Sequence, residues 1–339
     1  MPLMNNPYLS IRNSKKIAAL AGVFLGFILI LMDNQVCTLA LPLAANEIGG
    51  VGGYSLSSIF GGIGCCAAMP VVGFLCARNP AIKGKLYLLG MTVCAVVCVI
   101  AGMAGNMFAI ILPRLLLGAG CSVIFGIGYL VIYSLYEGKK LGAVLGLAAT
   151  FNSLAMVLSP IVMGFVADTL GWRSCYYVSA PLFLIAALLV FYGMKLPKEE
   201  ERRSAGERGS IDVLGTVANF LLFGGLLSAI SLSASYAPLG SVLSTVLLVI
   251  GIVGLLLLVI DICKKKEKAV IPSNVLADRN TICFTLDSLL NGMATMAVMF
   301  FLPLYAMNVM GKSATEAGLL TTFSGIFGLF LGPFIGRAI

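Results

Sequence analysis

Apolar stretches long enough to cross a lipid bilayer recur ten times along this chain. About 20 residues in a helix cover the hydrocarbon core of a membrane. Lipid offers no partners to backbone N–H and C=O groups, so each stretch must be helical. The predicted spans are 17–40, 55–76, 86–105, 107–134, 141–167, 174–194, 212–233, 241–262, 281–306 and 317–336. The predicted fold class is therefore all-α: a polytopic membrane protein with about ten transmembrane helices.

The distribution of basic residues predicts the orientation of these helices. Of the 339 residues, 60% are hydrophobic and 11% are charged, which excludes a soluble domain. With the N-terminus in the cytoplasm, all but three of the 22 Lys and Arg residues lie inside. Arg173 and Lys312 lie outside, and Arg114 lies in the membrane. This positive-inside bias predicts a multi-pass protein of the cell (plasma or inner) membrane.

The charge and the cysteines of the chain argue against several other classes of protein. A basic cytoplasmic rim facing anionic lipid accounts for the net charge of +8, so no nucleic-acid partner is expected. Most of the ten cysteines lie inside predicted spans, and the chain has no His and no Cys-x-x-Cys pair. We therefore expect no metal site and no cofactor. No nucleophile and base pair is evident, so no catalytic residues are assigned and an enzyme is not expected.

An internal repeat predicts the domain organisation. Leu41-Pro42-Leu43 ends span one and Leu302-Pro303-Leu304 ends span nine, while Pro-x-x-Gly closes span two at 70–73 and span ten at 333–336. Both copies run in the same sense, as in the parallel repeat of a two-halved transporter. The expected domains are a six-helix bundle at 1–194, a charged cytoplasmic linker at 195–211, an inserted helix pair at 212–262 and the first two helices of an incomplete second bundle at 263–339.

Two motifs resemble a known family. Met32 to Pro42, Met-Asp-Asn-Gln-Val-Cys-Thr-Leu-Ala-Leu-Pro, is similar to the first-helix motif of the fourteen-helix drug:proton antiporter branch of the major facilitator superfamily, with Gln35 and Thr38 in place of the usual Thr and Asn. The segment 171–181 resembles that branch's Gly-Trp-Arg-Trp-x-Phe-x-x-Asn-x-Pro entry to helix six. The resemblance covers the whole chain and implies a major-facilitator-like helical bundle, here C-terminally truncated.

Three further segments match family motifs with substitutions. The loop at 73–78 resembles Gly-x-Leu-x-Asp-Arg, with Ala77 in place of the Asp. Span four keeps the family's Arg and glycines at 114–120, and span five resembles the antiporter motif Gly-Pro-x-x-Gly-Gly at 159–164, where Ser159 and Met163 replace two glycines. The resemblance implies roles in gating and helix packing for Gly73, Arg78, Gly118, Ser159, Pro160 and Gly164.

Ionisable residues inside predicted spans are the candidates for coupling and binding. An ionised side chain at mid-bilayer depth costs about 2.5–3.5 kcal/mol or more, so it must face a cavity or a partner. We assign proton coupling to Asp33 and Arg114, although a permanent structural pair of the two remains an alternative. We assign substrate binding to Asn34 and Gln35 beside Asp33, and to Asp287 and Asn291, which share one helix face at i, i+4 spacing.

These observations predict a secondary transporter that exports hydrophobic or cationic small molecules in exchange for protons. Its partners would be the small-molecule substrate, protons and the lipid bilayer, together with a second chain if one supplies the missing helices. A proton-coupled symporter or facilitator of a small metabolite is the alternative transport function. A truncated, non-transporting membrane protein is the alternative from another class.

The charge distribution leads to a first testable prediction about topology. In a variant without native cysteines, Pro238→Cys should react with a membrane-impermeant maleimide added outside cells, because the loop after span seven is external. Arg203→Cys should react only after the membrane is permeabilised, because the linker is cytoplasmic. The reverse labelling pattern would contradict the whole assignment of spans.

Overall fold

The computed structural model describes residues 11–49, 51–78, 82–194, 212–235, 240–266 and 278–320, together with Tyr8, Ala269, Ile271, Ser273 and Thr322. Helices account for nearly all of these residues. In chain order they are α1 (Asn13–Gln35), a π-helical segment π1 (Val36–Ala40), α2 (Leu41–Ile48), α3 (Val51–Arg78), α4 (Lys83–Gly102), α5 (Phe108–Leu135), α6 (Gly138–Leu170), α7 (Trp172–Gly193), α8 (Val213–Ser235), α9 (Val242–Lys265) and α10 (Arg279–Asn308). A further helix, α11, is described at 314–320 and at 322.

Nine spans in the described part of the chain are long and apolar enough to cross a membrane, and they match the first nine predicted spans. The all-α polytopic fold is therefore confirmed. Most of the tenth predicted span, 317–336, lies outside the described residues. Two of the observed spans are clearly longer than predicted: the first runs over 13–48 and the fifth over 138–170. Polar end residues such as Lys15 and Glu47 stay helical beyond the apolar stretch from which the bounds were predicted.

Close contacts between glycines bring helix backbones together. A Cβ atom on Gly118 of α5 would lie 1.8 Å from the carbonyl oxygen of Gly61 on α3, and one on Gly64 would lie 2.0 Å from that of Leu115. Small residues permit this close approach. In lipid, such tight packing drives helix association, because burial of apolar surface contributes little there. The α3–α5 seam therefore depends on glycine at these positions, and Gly118 is a packing residue in this structure.

The predicted inserted pair, α8 and α9, forms a tight hairpin that packs on α3. A Cβ atom on Gly225 of α8 would lie 2.4 Å from the backbone nitrogen of Gly251 on α9. Asn219 of α8 is fully buried, and its Nδ2 donates a hydrogen bond of 2.7 Å to the carbonyl oxygen of Ala67 on α3. These contacts attach the pair to the outside of the 11–194 bundle, away from the first span.

Candidate functional site

A buried ion pair joins the first span to α5. Arg114 Nη1 lies 2.7 Å from Asp33 Oδ1, and the two side chains are only 4% and 8% exposed. Asp33 is in the last turn of α1, and Arg114 is the seventh residue of α5. The two predicted proton-coupling residues are therefore in direct contact. Each charge is neutralised by the other inside a membrane-spanning bundle, where neither could remain ionised alone at low cost.

Two neighbours complete the surroundings of the guanidinium. Arg114 Nη2 donates to the Cys37 thiol. Gly61 of α3 borders the guanidinium, because a Cβ atom there would be in ordinary van der Waals contact with Arg114 Nη2, at 3.4 Å. The sequence analysis did not identify Cys37 as part of the site. Cys37 could have been predicted as part of the site because it follows Asp33 by four residues, which puts both side chains on one helix face.

The π-helical segment lies directly beside this pair. Leu41 N–H bonds to the carbonyl oxygen of Val36, five residues earlier, instead of following the α-helical pattern. Pro42 has no N–H to donate to the carbonyl oxygen of Thr38, and its ring crowds that carbonyl, so the α-helical hydrogen-bond pattern is interrupted here. The sequence predicted a helical span over 17–40 but not the π-helical turn at Val36–Ala40 within it. Single π turns occur frequently at functional sites.

A pocket opens next to the ion pair. It encloses about 450 Å³, including open space at its mouth, and lies between α1, π1, α6 and α10. The residues lining it are Leu31, Asn34, Gln35, Thr38, Met156, Ser159, Met299 and Phe300. Thr38 Oγ1 donates to Gln35 Oε1 at 3.0 Å, which fixes the amide of that glutamine. Predicted binding residues Asn34 and Gln35 thus meet at one pocket with Ser159.

The other two predicted binding residues lie elsewhere. Asp287 and Asn291 are exposed on α10, and neither lines this pocket. Asn291 Oδ1 accepts a hydrogen bond of 3.4 Å from Thr295 on its own helix. The α10 residues that do reach the pocket, Met299 and Phe300, are two turns or more further along. A substrate-binding role for Asp287 and Asn291 stays a prediction.

The antiporter-like segment of α6 packs directly against α11. A Cβ atom on Gly164 would lie 2.9 Å from the carbonyl oxygen of Ala314, and one on Gly318 would lie 2.6 Å from that of Pro160. Ser159 is buried, and its hydroxyl donates to the carbonyl oxygen of Ala155 at 2.6 Å. The sequence motif therefore marks a helix seam.

Two acidic residues that the sequence analysis did not single out connect helix ends. Asp168 of α6 accepts hydrogen bonds from the backbone nitrogens of Ala314, at 3.2 Å, and Thr315, at 2.9 Å. It thereby caps the start of α11, whose first N–H groups have no partners within the helix. Glu47 at the end of α2 accepts from Trp172 Nε1 at 3.0 Å and forms an ion pair with Arg173.

The remaining predicted gating residues are in α3. Gly73 is exposed, and a Cβ atom there would meet nothing within 4 Å. The backbone of Arg78 ends α3, and its side chain lies outside the described part of the structure. A gating role for Gly73 and Arg78 stays a prediction.

The ion pair leads to a prediction about stability. Asp33→Ala should lower the free energy of unfolding by about 3 kcal/mol or more, because it leaves the Arg114 charge buried without its partner. The double variant Asp33→Ala/Arg114→Leu should recover much of that loss. Thermal unfolding of purified protein in detergent measures both effects.

The matched control is Lys312→Ala, which removes one partner of an exposed ion pair to Glu316 at 3.3 Å. It should change stability by less than about 1 kcal/mol. The pairing would be contradicted if the two changes were additive, so that the double variant lost as much free energy of unfolding as Asp33→Ala and Arg114→Leu lose together.

Comparisons with known proteins agree with this architecture. The profile of the Major Facilitator Superfamily matches residues 23–339. Multidrug transporter protein MdtP of Bacillus subtilis (strain 168) is 22% identical over 313 residues, which cover 92% of this chain and 56% of that protein. Multidrug resistance protein 3 of the same organism is 23% identical over 318 residues, covering 93% of this chain and 60% of that protein.

In a fungal relative, too, the alignment covers most of this chain but little more than half of the relative. Efflux pump aflT of Aspergillus parasiticus is 22% identical over 305 residues, covering 88% of this chain and 58% of that protein. The chain therefore spans a little over half the length of the curated relatives it matches.

Proposed function

Because the chain belongs to the Major Facilitator Superfamily, we propose that it carries the coupling site of a proton-driven exporter of hydrophobic or cationic small molecules. The names of the relatives, multidrug transporters and efflux pumps, support the export function. The observation that carries the proposal is the buried ion pair of Asp33 and Arg114, which lies next to a pocket lined by Asn34 and Gln35.

Asp33 is the group of the pair that can exchange a proton. A guanidinium stays protonated at any physiological pH, whereas a carboxylate in an apolar environment can load and release a proton. Protonation removes the charge that holds Arg114 Nη1 at 2.7 Å. The ion pair then becomes a weaker hydrogen bond, and α1 is freer to move relative to α5.

The first span connects this event to the pocket. Asp33 faces Arg114, while the next two residues, Asn34 and Gln35, line the pocket, since consecutive residues of a helix point about 100° apart. A displacement or rotation of α1 after protonation therefore changes the shape of the pocket. The adjacent π segment supplies a place where the helix can adjust without losing regular structure on either side.

The side chains of the pocket suit an amphipathic cargo. Leu31, Met156, Met299 and Phe300 provide apolar contacts, and methionine adapts its shape to different ligands. The amides of Asn34 and Gln35 offer both donors and acceptors. This combination favours hydrophobic molecules with few polar groups and tolerates variation among them.

The contact between α6 and α11 is our candidate for a gate. In the proposed orientation, with the N-terminus in the cytoplasm, Asp168 and its bonds to Ala314 and Thr315 lie at the outer end of the bundle. We propose that 1–194 forms the first bundle, that 195–211 is a linker to an inserted pair at 212–262, and that α10 and α11 belong to a second bundle. Opening this seam would then release cargo outward.

One observation favours the alternative of a symporter or facilitator. Asp33 does not line the pocket in the described part of the structure, so cargo does not contact the carboxylate directly in this conformation. If the protein is instead an antiporter, competition between cargo and proton would have to act through the movement of α1. The direction of proton flux when cargo is added separates antiport from symport.

The proposed role of Asp33 leads to a prediction about transport. Asp33→Asn should abolish proton movement driven by a cargo gradient in proteoliposomes, because an amide cannot exchange the proton. The variant should still insert in the membrane, since insertion depends on the hydropathy of the spans.

The matched control is Glu137→Gln, the same carboxylate-to-amide change at an exposed loop position. It should leave proton movement unchanged. Undiminished cargo-driven proton flux in Asp33→Asn would exclude this carboxylate as the proton carrier.

A further inference from the structure

A tyrosine hydroxyl is buried beside the ion pair without a hydrogen bond. Tyr176 of α7 is 1% exposed, and its Oη has no hydrogen-bond partner among the described residues. Arg114 Nε is likewise buried and unpartnered in that part of the chain. Unpaired buried polar groups are rare in folded proteins because each loses its hydration without compensation.

The two unpaired groups belong to one cluster and are chemically complementary. Tyr176 interacts electrostatically with Arg114, Cys37 and Asp33. The Nε of an arginine can only donate a hydrogen bond, and a phenolic oxygen can accept one. A rearrangement that brought Arg114 Nε to the Tyr176 hydroxyl would therefore provide each group with a partner.

The hydroxyl distinguishes this chain from the motif that it resembles. The segment 171–181 is similar to Gly-Trp-Arg-Trp-x-Phe-x-x-Asn-x-Pro, and Tyr176 stands at the position of the Phe. The aromatic ring, which packs edge-on against Trp172, is common to Tyr and Phe. The added oxygen needs a separate explanation, because burying it without a partner is unfavourable.

We propose that the Tyr176 hydroxyl is an alternative acceptor for the Arg114 guanidinium, engaged when protonation of Asp33 weakens the ion pair. Tyr176 is then a positioning residue: it holds the buried cation in the proton-loaded state, in which its first partner has become neutral. This inference rests on the proposed role of Asp33 as the proton carrier.

Loss of the Tyr176 hydroxyl should disfavour protonation of Asp33. Tyr176→Phe removes a bond that exists only in the loaded state, and it also removes an unpaired polar atom from the unloaded state. Both effects disfavour protonation of Asp33. The midpoint of its protonation should move to lower pH, by about half a unit to one unit for one hydrogen bond.

Polar groups from four elements interact electrostatically with Asp33. They are the Arg114 guanidinium and the Cys121 thiol on α5, the Cys94 and Cys98 thiols on α4, the Cys37 thiol on π1 and the Tyr176 hydroxyl on α7. Tyr176→Phe leaves all of the others in place.

The test reads the protonation of Asp33 directly and needs no cargo. Infrared difference spectra of the lipid-reconstituted chain, recorded over a pH series, report the C=O band of protonated carboxyl groups, and the part lost in Asp33→Asn belongs to this residue. The expected result is a titration of that band shifted to lower pH in Tyr176→Phe. Tyr177→Phe, the same change at the exposed neighbour, should leave the midpoint unchanged.

A second comparison connects the shift to the guanidinium. Methionine has no hydrogen-bond donor, so Tyr176→Phe should cause no further shift in an Arg114→Met background. If Asp33 titrates with the same midpoint in the Tyr176→Phe variant as in the unchanged chain, this inference is overturned and the proposed function stands. If Asp33 does not titrate, both fail. A shifted titration in a chain that moves no cargo supports the inference and contradicts only the transport proposal.

Discussion

An ionised carboxylate and an ionised guanidinium can lie inside a membrane-spanning bundle only if each neutralises the other. Asp33 and Arg114 meet this condition through a contact of 2.7 Å between side chains that are almost completely buried. Several other features of the fold serve this contact. The glycines of the α3–α5 seam bring the two helix backbones together next to Arg114, since a Cβ atom on Gly118 would lie 1.8 Å from the carbonyl oxygen of Gly61. The π turn before Pro42 is next to the carboxylate and carries the thiol that also contacts the guanidinium.

The same helix joins this pair to the pocket. Asp33 points to α5, and its neighbours Asn34 and Gln35 point between α6 and α10. In the mechanism we propose, a change in the charge of Asp33 acts on these two adjacent residues without any long pathway. Coupling of this kind requires an element with two arrangements, and the interrupted helix from Gln35 to Leu41 is the part of the first span best suited to adopt them.

The fold was largely predictable from the sequence, because hydropathy alone determines which stretches must cross a bilayer as helices. Asp33 and Arg114 could also be found, since charged residues inside apolar spans need a partner. The π turn could not, because Pro42 is compatible with a kink, a π turn or a helix end. The role of Asp168 as a cap could not be predicted either, because it depends on the position of α11. The exposure of Asp287 was unpredictable for the same reason: hydropathy gives the helix but not which of its faces meets other helices.

We propose that Asp33 exchanges its proton in response to cargo in the adjacent pocket. The most direct measurement is proton release by purified protein in weakly buffered detergent solution, followed with a pH-indicator dye after addition of tetraphenylphosphonium or a neutral hydrophobic dye. Carried out at a pH where Asp33 is protonated, it should show release of about one proton per chain at saturation, and none in Asp33→Asn. Binding of either compound without proton release, or release that persists in Asp33→Asn, would contradict the account.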